Sequence, residues 1–318
     1  MHSIVILDGY CLNPGDLSWE ALESLGTVTV YDRTAPDEII SRAQGATILL
    51  TNKTVLSAET IQKLPALQFI SVLATGYNIV DTQAAGSQGI LLSNVPAYST
   101  DSVAQLTWAL LLELTHQVGL HASSVRRGDW SSSLDFSYQK SPLMELSGLT
   151  LGIIGLGVIG QKVAQIAHAF GMQIQSIERA KKPSLSYPVS YTDLETLLKT
   201  SDVLSLHAPL NAETDKIINA KTLTWMKPTS FILNTSRGGL IDSEALAQAL
   251  ENKVIAGAAL DVLDQEPPPS THPLPPSPRC LITPHIAWAT FAARQRLLDQ
   301  TIQNVKSFIE GHPINIVG

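Results

Sequence analysis

Three glycines that follow an apolar run limit most strongly how this chain can fold. The run from Leu149 to Ile154 has the composition of a buried strand, and Gly155, Gly157 and Gly160 come directly after it. A helix-like stretch from Gln161 to Phe170 follows the third glycine. A strand, a glycine turn and a helix in this order are typical of an open parallel sheet with crossover helices. The motif therefore predicts an α/β fold.

Short apolar runs alternate with helix-like stretches on both sides of this motif. Before residue 100 the predicted strands are Ile4 to Leu7, Val28 to Tyr31, Thr47 to Leu50, Phe69 to Leu73 and Ile90 to Ser93. Later they are Thr150 to Ile154, Gln173 to Ile177, Val203 to His207, Phe231 to Asn234, Val254 to Ala258 and Cys280 to Thr283. Because parallel strands need crossover connections, the alternation predicts two doubly wound parallel-sheet domains. A length of 318 residues also favours two domains.

Two longer helices are predicted outside this alternation. The segment Ser99 to Asp101 offers N-cap residues for an apolar-periodic helix from about Ser102 to His121. We expect this helix to connect the domains. A second helix is predicted from Thr290 to Glu310, with Gly311 as its end, and we expect it to pack on the first domain.

Composition and charge exclude several classes of function. Apolar residues make up 44% of the chain, the net charge is -7, and cysteine occurs twice. This charge offers no basic face for nucleic acid, and two isolated cysteines predict neither a structural metal nor a disulfide framework. The stretch Met1 to Asp8 has no basic segment, and its apolar run is too short for a signal peptide. The apolar stretch Leu106 to Leu114 is too short for a membrane span. We expect a globular cytoplasmic protein without a nucleic-acid, metal or membrane partner.

The glycine turn also predicts a ligand. In Gly155-Leu156-Gly157-Val158-Ile159-Gly160 the first glycine allows the turn, the second lets the backbone approach a pyrophosphate, and the third lets helix and strand pack. The helix N-terminus then faces the phosphates of a dinucleotide. Glu178, after the next predicted strand, would accept hydrogen bonds from the adenosine ribose, which favours NAD. Arg179, Lys181 and Lys182 follow and could hold a 2′-phosphate, so NADP stays open.

Three polar residues follow or lie near predicted strand ends, where ligands bind in open parallel sheets. Arg237 comes after Phe231 to Ser236, and its planar guanidinium can pair bidentately with the carboxylate of a 2-keto acid. His285 comes after the last strand and can exchange a proton near neutral pH. If the loop carboxylate Glu266 approached His285, its charge would favour the protonated imidazole. His272 is interpreted as an ordinary loop histidine.

Four ordered motifs resemble the D-isomer-specific 2-hydroxyacid dehydrogenase family, and the resemblance runs along essentially the whole chain. They are Gly155 to Gly160, Asn234 to Gly239, Ala259 to Val262 through Glu266-Pro267, and Thr283-Pro284-His285. The resemblance implies a Rossmann cofactor domain, residues 99–289, inserted in a flavodoxin-like substrate domain, residues 1–98 plus 290–318. It also implies a homodimer through the cofactor domain.

The resemblance further implies roles for single residues. Arg237 would bind the substrate carboxylate and carbonyl, His285 would act as acid and base, and Glu266 would orient and tune His285. Backbone amides of the loop around Thr75 and Gly76 would contact the substrate carboxylate. The other implied cofactor contacts are His207, Pro209, Thr214, Thr235, Ser236, His285 and Asp261, the last of which would hold the nicotinamide carboxamide.

The implied reaction is NAD(P)H-dependent reduction of a small 2-keto acid to the D-2-hydroxy acid. The segments Ala74 to Asn78, Asp135-Phe136 with Ser141 to Leu143, and His285 to Trp288 are most similar to those of glycerate dehydrogenases, or hydroxypyruvate reductases. Two alternatives stay open: another D-2-hydroxyacid or phosphite dehydrogenase, and a non-catalytic NAD(H)-sensing protein. Catalytic NADH oxidation with 2-keto acids, as opposed to stoichiometric binding, distinguishes an enzyme from a sensor.

Overall fold

The computed structural model describes residues 2–177 and 185–318. The described residues divide into two compact units. Unit 1 contains those up to 99 and from 289 onward, and unit 2 contains those between 100 and 288. Each unit has a sheet of its own.

The regular elements of both units are numbered in chain order. The strands are β1 (His2–Ile6), β2 (Gly26–Val30), β3 (Ile48–Thr51), β4 (Phe69–Val72), β5 (Leu91–Ser93), β6 (Thr150–Ile154), β7 (Gln173–Ile177), β8 (Ser190–Tyr191), β9 (Val203–Leu206), β10 (Phe231–Asn234), β11 (Gly257–Leu260) and β12 (Cys280–Ile282). The α-helices are α1 (Glu20–Glu23), α2 (Ile39–Ala43), α3 (Ala58–Gln62), α4 (Thr82–Ser87), α5 (Thr100–His116), α6 (Val118–Arg126), α7 (Val158–Ala169), α8 (Leu194–Thr200), α9 (Ala220–Leu223), α10 (Ser243–Glu251) and α11 (Phe291–Ile309).

The sheet of unit 1 has the strand order β2-β1-β3-β4-β5, and its strand pairs are parallel. This is the flavodoxin-like order, in which the chain reverses its direction of travel across the sheet between β1 and β3. Strands β3 and β4 are buried along their whole length, as expected for parallel strands covered on both faces. Helix α11 packs on this sheet, where Phe308 stacks on Phe69 with the ring centroids 4.5 Å apart.

The sheet of unit 2 has the strand order β12-β11-β10-β9-β6-β7-β8, again with parallel pairs. Read from the β8 edge, this is the Rossmann order with one additional strand. The order reverses between β6 and β9, both of which are buried along their whole length. Helix α5 packs against α7, and Trp108 stacks on Phe170 with the ring centroids 4.6 Å apart.

The predicted fold class is confirmed, because both sheets are parallel and helices connect most of their consecutive strands. The strand predicted from Val254 to Ala258 is wrong in its limits, since β11 covers Gly257–Leu260. Residues 252–256 instead form the connection from the end of α10 to β11. In this connection the N–H of Val254 donates to the carbonyl of Ala249 at 2.8 Å. The run from Val254 to Leu260 contains no polar residue that would mark where the strand begins.

The single helix predicted from Ser102 to His121 is wrong as well, since α5 and α6 are separated by Gln117. Gln117 has φ 45° and ψ 49°, in the left-handed region, which interrupts a right-handed helix. The apolar residues Val118 and Leu120 continue past the break, so the sequence pattern does not reveal it. Both helices belong to unit 2.

The described residues include neither a membrane-spanning helix nor a metal centre. None of their helices combines the length and the apolar character that crossing a bilayer requires. None of their His, Cys, Asp and Glu side chains form a group of three or more that could hold a metal ion.

Candidate active site

The carboxyl edge of the unit 2 sheet carries most of the predicted site residues. Because the strands run parallel, the segments that follow them begin at one edge. Gly155 follows β6, His207 follows β9, Thr235 follows β10, and Asp261 follows β11. His285 lies just past β12.

Each glycine of the turn after β6 meets a different steric demand. Gly155 has a φ of +96°, and a Cβ there would lie 2.5 Å from the backbone nitrogen of Ala208. A Cβ on Gly160 would lie 2.3 Å from the carbonyl oxygen of Gly155. A Cβ on Gly157 would meet no atom within 4 Å, and Gly157 caps α7 without a side-chain hydrogen bond. The turn therefore leaves space in front of the first N–H groups of α7, which suits a pyrophosphate.

His207 adds a buried polar atom beside this turn. Its Nε2 lies 2.8 Å from Oγ of Ser205, while Nδ1 is buried and has no hydrogen-bond partner among the described residues. Burial lowers the pKa of His207 to about 4, so the ring is neutral at physiological pH. A neutral ring with one unsatisfied nitrogen, next to the glycine turn, fits a site that holds a polar dinucleotide.

The other predicted cofactor residues of unit 2 lie on the segments after β9 and β10. Their hydroxyl groups hydrogen-bond within the chain: Thr214 to the carbonyl of Pro209 at 2.6 Å, Ser236 to the carbonyl of Ala208 at 2.7 Å, and Thr235 to the hydroxyl of Thr107 at 2.9 Å. These bonds fix the segments after β9 and β10, which follow strands at the same sheet edge as the glycine turn. Glu178, on which the predicted NAD preference rests, lies outside the described residues.

Arg237 has a fixed backbone and an exposed side chain. Asn234, which is fully buried, donates from Nδ2 to the carbonyl of Arg237 at 2.8 Å. The next residue, Gly238, lies so close to the peptide after Leu263 that a Cβ would come within 1.9 Å of the Leu263 carbonyl carbon. The guanidinium donates from Nη1 to the carbonyl of Ser236 at 2.7 Å and remains exposed. It can therefore present its planar fork to a carboxylate.

His285 and Glu266 form a direct pair, which the sequence left open. Nδ1 of His285 lies 2.6 Å from Oε2 of Glu266, and the two side chains are 28% and 32% exposed. The other carboxylate oxygen of Glu266 accepts the N–H of Leu263 at 2.9 Å. With Nδ1 engaged by a carboxylate, Nε2 is left to exchange a proton with a ligand.

Asp261 holds the loop that carries His285. Its carboxylate is 1% exposed and accepts hydrogen bonds from the Thr283 hydroxyl at 2.6 Å, the Ile286 N–H at 2.9 Å and the Ala287 N–H at 2.8 Å. Burial raises the pKa of Asp261, although these hydrogen bonds and the charge of His285 act in the opposite direction. The backbone of His285 has φ 54°, and its N–H donates to the Asp261 carbonyl at 2.8 Å.

The anchoring role of Asp261 is one that sequence reasoning missed. The sequence offers an aspartate directly after an apolar strand, but its hydrogen-bond donors are mostly backbone groups that only the fold locates. A carboxylate has about four acceptor positions, so three bonds within the chain leave about one for a further donor.

In unit 1 the predicted substrate loop follows β4. Thr75 donates from Oγ1 to the carbonyl of Val95 at 2.8 Å, and Asn94 donates from Nδ2 to the carbonyl of Thr75 at 2.7 Å. These two bonds fix the backbone just before Gly76. The loop is therefore fixed by the segment that follows β5.

Unit 1 also contains a buried carboxylate that the sequence analysis did not single out. Asp8, after β1, is 8% exposed and accepts the consecutive N–H groups of Asn52, Lys53 and Thr54 at 2.8, 2.6 and 2.8 Å. Asp8, Lys53 and Thr54 border a cavity of about 950 Å³ where the strand order reverses. An acidic residue after an apolar strand was the available sequence signal.

Taken together, the groups of unit 2 can hold a dinucleotide, bind an anion and move a proton. The open α7 N-terminus suits the dinucleotide, Arg237 suits a carboxylate, and the His285–Glu266 pair can supply a proton. With the Rossmann strand order, they define the class of dinucleotide-dependent oxidoreductases.

Comparison with known proteins gives the family. Residues 108–287 match the model of the D-isomer specific 2-hydroxyacid dehydrogenase, NAD binding domain. The chain is 46% identical over 318 residues to a hydroxypyruvate reductase of Blautia hydrogenotrophica, with 99% of each chain covered. It is 41% identical over 290 residues to a glycerate dehydrogenase of Methylorubrum extorquens, with 90% of each chain covered.

A solved structure shows the same fold. It is that of an NADPH-dependent glyoxylate/hydroxypyruvate reductase from Sinorhizobium meliloti in complex with NADP and malonate. The TM-score is 0.84 at 27% identity, covering 100% of this chain and 97% of that chain. The chain thus belongs to the D-isomer-specific 2-hydroxyacid dehydrogenase family of NAD(P)-dependent oxidoreductases, as its motifs predicted.

The second and third glycines of the turn predict different defects when each is replaced by alanine. Gly157→Ala should fold normally but fill the space before α7, raising the Kd for NADH about tenfold or more. Gly160→Ala presses a methyl group against the Gly155 carbonyl and should lower Tm by about 4 °C or more. NADH fluorescence titration and thermal unfolding measure the two effects. Equal Tm losses in both variants would contradict this assignment.

His207 should make stability pH-dependent. Its pKa is lowered in the folded state to about 4, so between about pH 6.5 and 4 the unfolded chain binds a proton that the folded chain does not. Stability should therefore fall as pH falls through this window, by roughly 2 kcal/mol at pH 4.5 for this group. Urea unfolding at pH 7.0 and 4.5 should show a smaller loss for His207→Gln than for the wild type. His168→Gln, at an exposed histidine, should behave as the wild type.

Proposed function

We propose that this chain is a glycerate dehydrogenase that reduces hydroxypyruvate to D-glycerate with NADH. The observation that carries the proposal is the 2.6 Å contact between His285 and Glu266, on the sheet edge that also bears Arg237. The relatives named hydroxypyruvate reductase and glycerate dehydrogenase, at 46% and 41% identity, support the choice of substrate.

In the proposed reaction each residue has a distinct task. The guanidinium of Arg237 binds the substrate carboxylate and polarises the C2 carbonyl. His285 donates a proton from Nε2 to the carbonyl oxygen, and Glu266 stabilises the imidazolium before the transfer. Bound NADH supplies the hydride that adds to C2. For unit 1 the proposal keeps Thr75 and Gly76 as contacts to the substrate carboxylate.

For the cofactor we propose contacts along the unit 2 edge. They comprise the glycine turn and the segments after β9 to β12, namely Gly155, Gly157, Val158, Ile159, Gly160, His207, Pro209, Thr214, Thr235, Ser236, Asp261 and His285. Glu178 supports a preference for NAD over NADP, because a carboxylate accepts hydrogen bonds from a ribose and repels a 2′-phosphate.

The decisive measurement is oxidation of NADH and NADPH by the purified protein, followed by absorbance. Hydroxypyruvate, glyoxylate and pyruvate are compared, and phosphite is tested with the oxidised cofactors. We expect the highest kcat/KM with hydroxypyruvate and NADH. Binding of NADH without turnover of any substrate would instead indicate a sensor.

His285→Ala should lower kcat by about 10²–10⁴, since the proton donor is lost. The Kd for NADH should rise far less than kcat falls, because His285 is only one of the proposed cofactor contacts and the glycine turn and the α7 N-terminus are untouched. Unchanged turnover in steady-state assays would refute the assignment of His285. His168→Gln serves as the matched control, since this histidine is exposed on α7.

We further propose a cytoplasmic homodimer assembled through unit 2. Several apolar side chains of unit 2 are exposed on α6 and in the segment after it, including Leu134 at 103% and Phe136 at 92% exposure. Others are Val118, Leu120 and Val125 of α6. Exposed apolar groups of this density are typical of interaction surfaces, and a second copy of the chain would cover them.

Light scattering after size exclusion should therefore give twice the mass of one chain. Replacing Leu134 and Phe136 together by Ser should shift the protein toward the monomer, because their burial would no longer favour association. Val55→Ser, at an exposed valine of unit 1, should leave the dimer intact. A wild-type monomer at micromolar concentration would contradict the proposal.

A further inference from the structure

A cluster of polar side chains is hydrogen-bonded to the turn that carries Glu266. Asp264, two positions before Glu266, accepts hydrogen bonds at Oδ1 from two distant parts of unit 2. One donor is the hydroxyl of Ser243, the first residue of α10. The other is Nε2 of His272, at 3.0 Å. We call Ser243, Asp264 and His272 the Asp264 cluster.

His272 is a buried bridge rather than an ordinary loop histidine. It is 6% exposed, and its Nδ1 accepts the N–H of Leu274 at 3.3 Å. Since Nδ1 accepts, the ring proton is on Nε2, which donates to Asp264. Both ring nitrogens are thus used inside unit 2, which fixes the ring and the carboxylate together.

The turn held by this cluster contacts both parts of the proposed catalytic set. The N–H of Leu263 donates to Oε1 of Glu266 at 2.9 Å, and Oε2 of Glu266 bonds to His285 at 2.6 Å. On the Arg237 side, Gly238 lies directly against the Leu263–Asp264 peptide. A displacement of the turn would therefore move the Glu266 carboxylate relative to the imidazole.

The electrostatics of Asp264 support a firm anchor. Burial is the largest single influence and would raise the pKa of Asp264, but the hydrogen bonds from Ser243 and His272, a backbone hydrogen bond and the charge of His272 together lower it. The carboxylate is therefore charged at neutral pH. Hydrogen bonds to a charged acceptor are stronger than those between neutral groups.

We propose that Ser243, Asp264 and His272 are positioning residues that hold Glu266 against His285 and thereby set the proton affinity of the general acid. The proposal rests on the proposed function, which gives Glu266 and His285 their roles. The cluster itself makes no contact with the reacting atoms in this mechanism. Its effect is transmitted through the Leu263–Glu266 turn.

Two carboxylates act on His285, and the cluster controls one of them. Glu266 bonds directly to Nδ1. Asp261 lies just past the end of the adjacent strand β11, close enough that the charge of His285 offsets part of the rise in pKa that burial causes. Asp261 is anchored by Thr283, Ile286 and Ala287, none of which belongs to the cluster. Loss of the cluster should therefore weaken the Glu266 contribution and leave that of Asp261.

The test follows the titration of His285 in the full-length protein. Histidine labelled with ¹³C and ¹⁵N is observed by NMR, and the His285 signal is assigned by its absence in His285→Gln. Asp264→Ala and His272→Leu should move the His285 midpoint toward that of Glu266→Gln, since the negative charge of Glu266 is less well placed. Above the midpoint, kcat should fall about tenfold, while the Kd for NADH stays within about twofold. Glu266→Gln gives the reference shift.

Conservative variants distinguish a role of the cluster in positioning Glu266 from a role in folding alone. His272→Gln keeps an N–H that can donate to Asp264, so we expect it to restore most of the midpoint and of kcat. Asp264→Asn keeps the side-chain volume and replaces Asp264→Ala if that variant does not fold. It should still lower the midpoint, because the amide oxygen accepts hydrogen bonds less strongly than a carboxylate.

The matched control is Asp202→Asn at the opposite edge of the same sheet. Asp202 precedes β9, accepts the N–H of Thr150 at 2.9 Å and pairs with Lys227 at 2.7 Å. Its loss should lower Tm and leave the His285 midpoint unchanged. If the cluster variants also lower only Tm, the proposal is overturned. Absence of hydroxypyruvate turnover in the wild type would contradict the proposed function. The NMR titration would still test whether the Asp264 cluster positions Glu266 against His285.

Discussion

The parallel direction of the strands is the constraint on which the rest of the structure depends. Parallel strands must be joined by crossovers, so the chain leaves every strand at the same edge of its sheet. In unit 2 this brings Gly155, His207, Arg237 and His285 to one edge, although they are far apart in the sequence. These four residues therefore reach the site directly from strand ends, whereas Glu266 comes from the longer segment between β11 and β12.

A buried carboxylate then gives this edge its local geometry. Asp261 is almost fully buried, and desolvation raises its pKa, which shows that burial opposes its charge. Hydrogen bonds from Thr283, Ile286 and Ala287 offset that cost. They also hold His285 in the left-handed region, a conformation that costs a non-glycine residue roughly 1–2 kcal/mol. The surrounding bonds therefore impose a backbone that the sequence alone would not choose.

The sequence predicted what depends on local pattern and missed what depends on distant contacts. The glycine turn and the strands around it follow from apolar runs and chain stereochemistry, so their positions were predictable. The break at Gln117 was not, because the apolar periodicity runs through it. Likewise, His272 has no local signal that separates it from a solvated loop histidine. Its burial and its bond to Asp264 arise only when the turn and α10 come together.

A division between buried anchoring groups and exposed substrate-facing groups explains why the proposed site can be both rigid and reactive. Three of the groups that fix the backbone are buried: Asn234 at 0%, Asp261 at 1% and His272 at 6% exposure. The groups that would meet the substrate stand in front of them and are partly or fully exposed, including Arg237 and the His285–Glu266 pair. Because buried residues fix the backbone, ligand binding has less conformational entropy to remove. The exposed polar groups of Arg237, His285 and Glu266 keep hydrogen-bonding capacity for the ligand. A strand edge allows this arrangement because the backbone enters from the core and the side chains leave toward solvent.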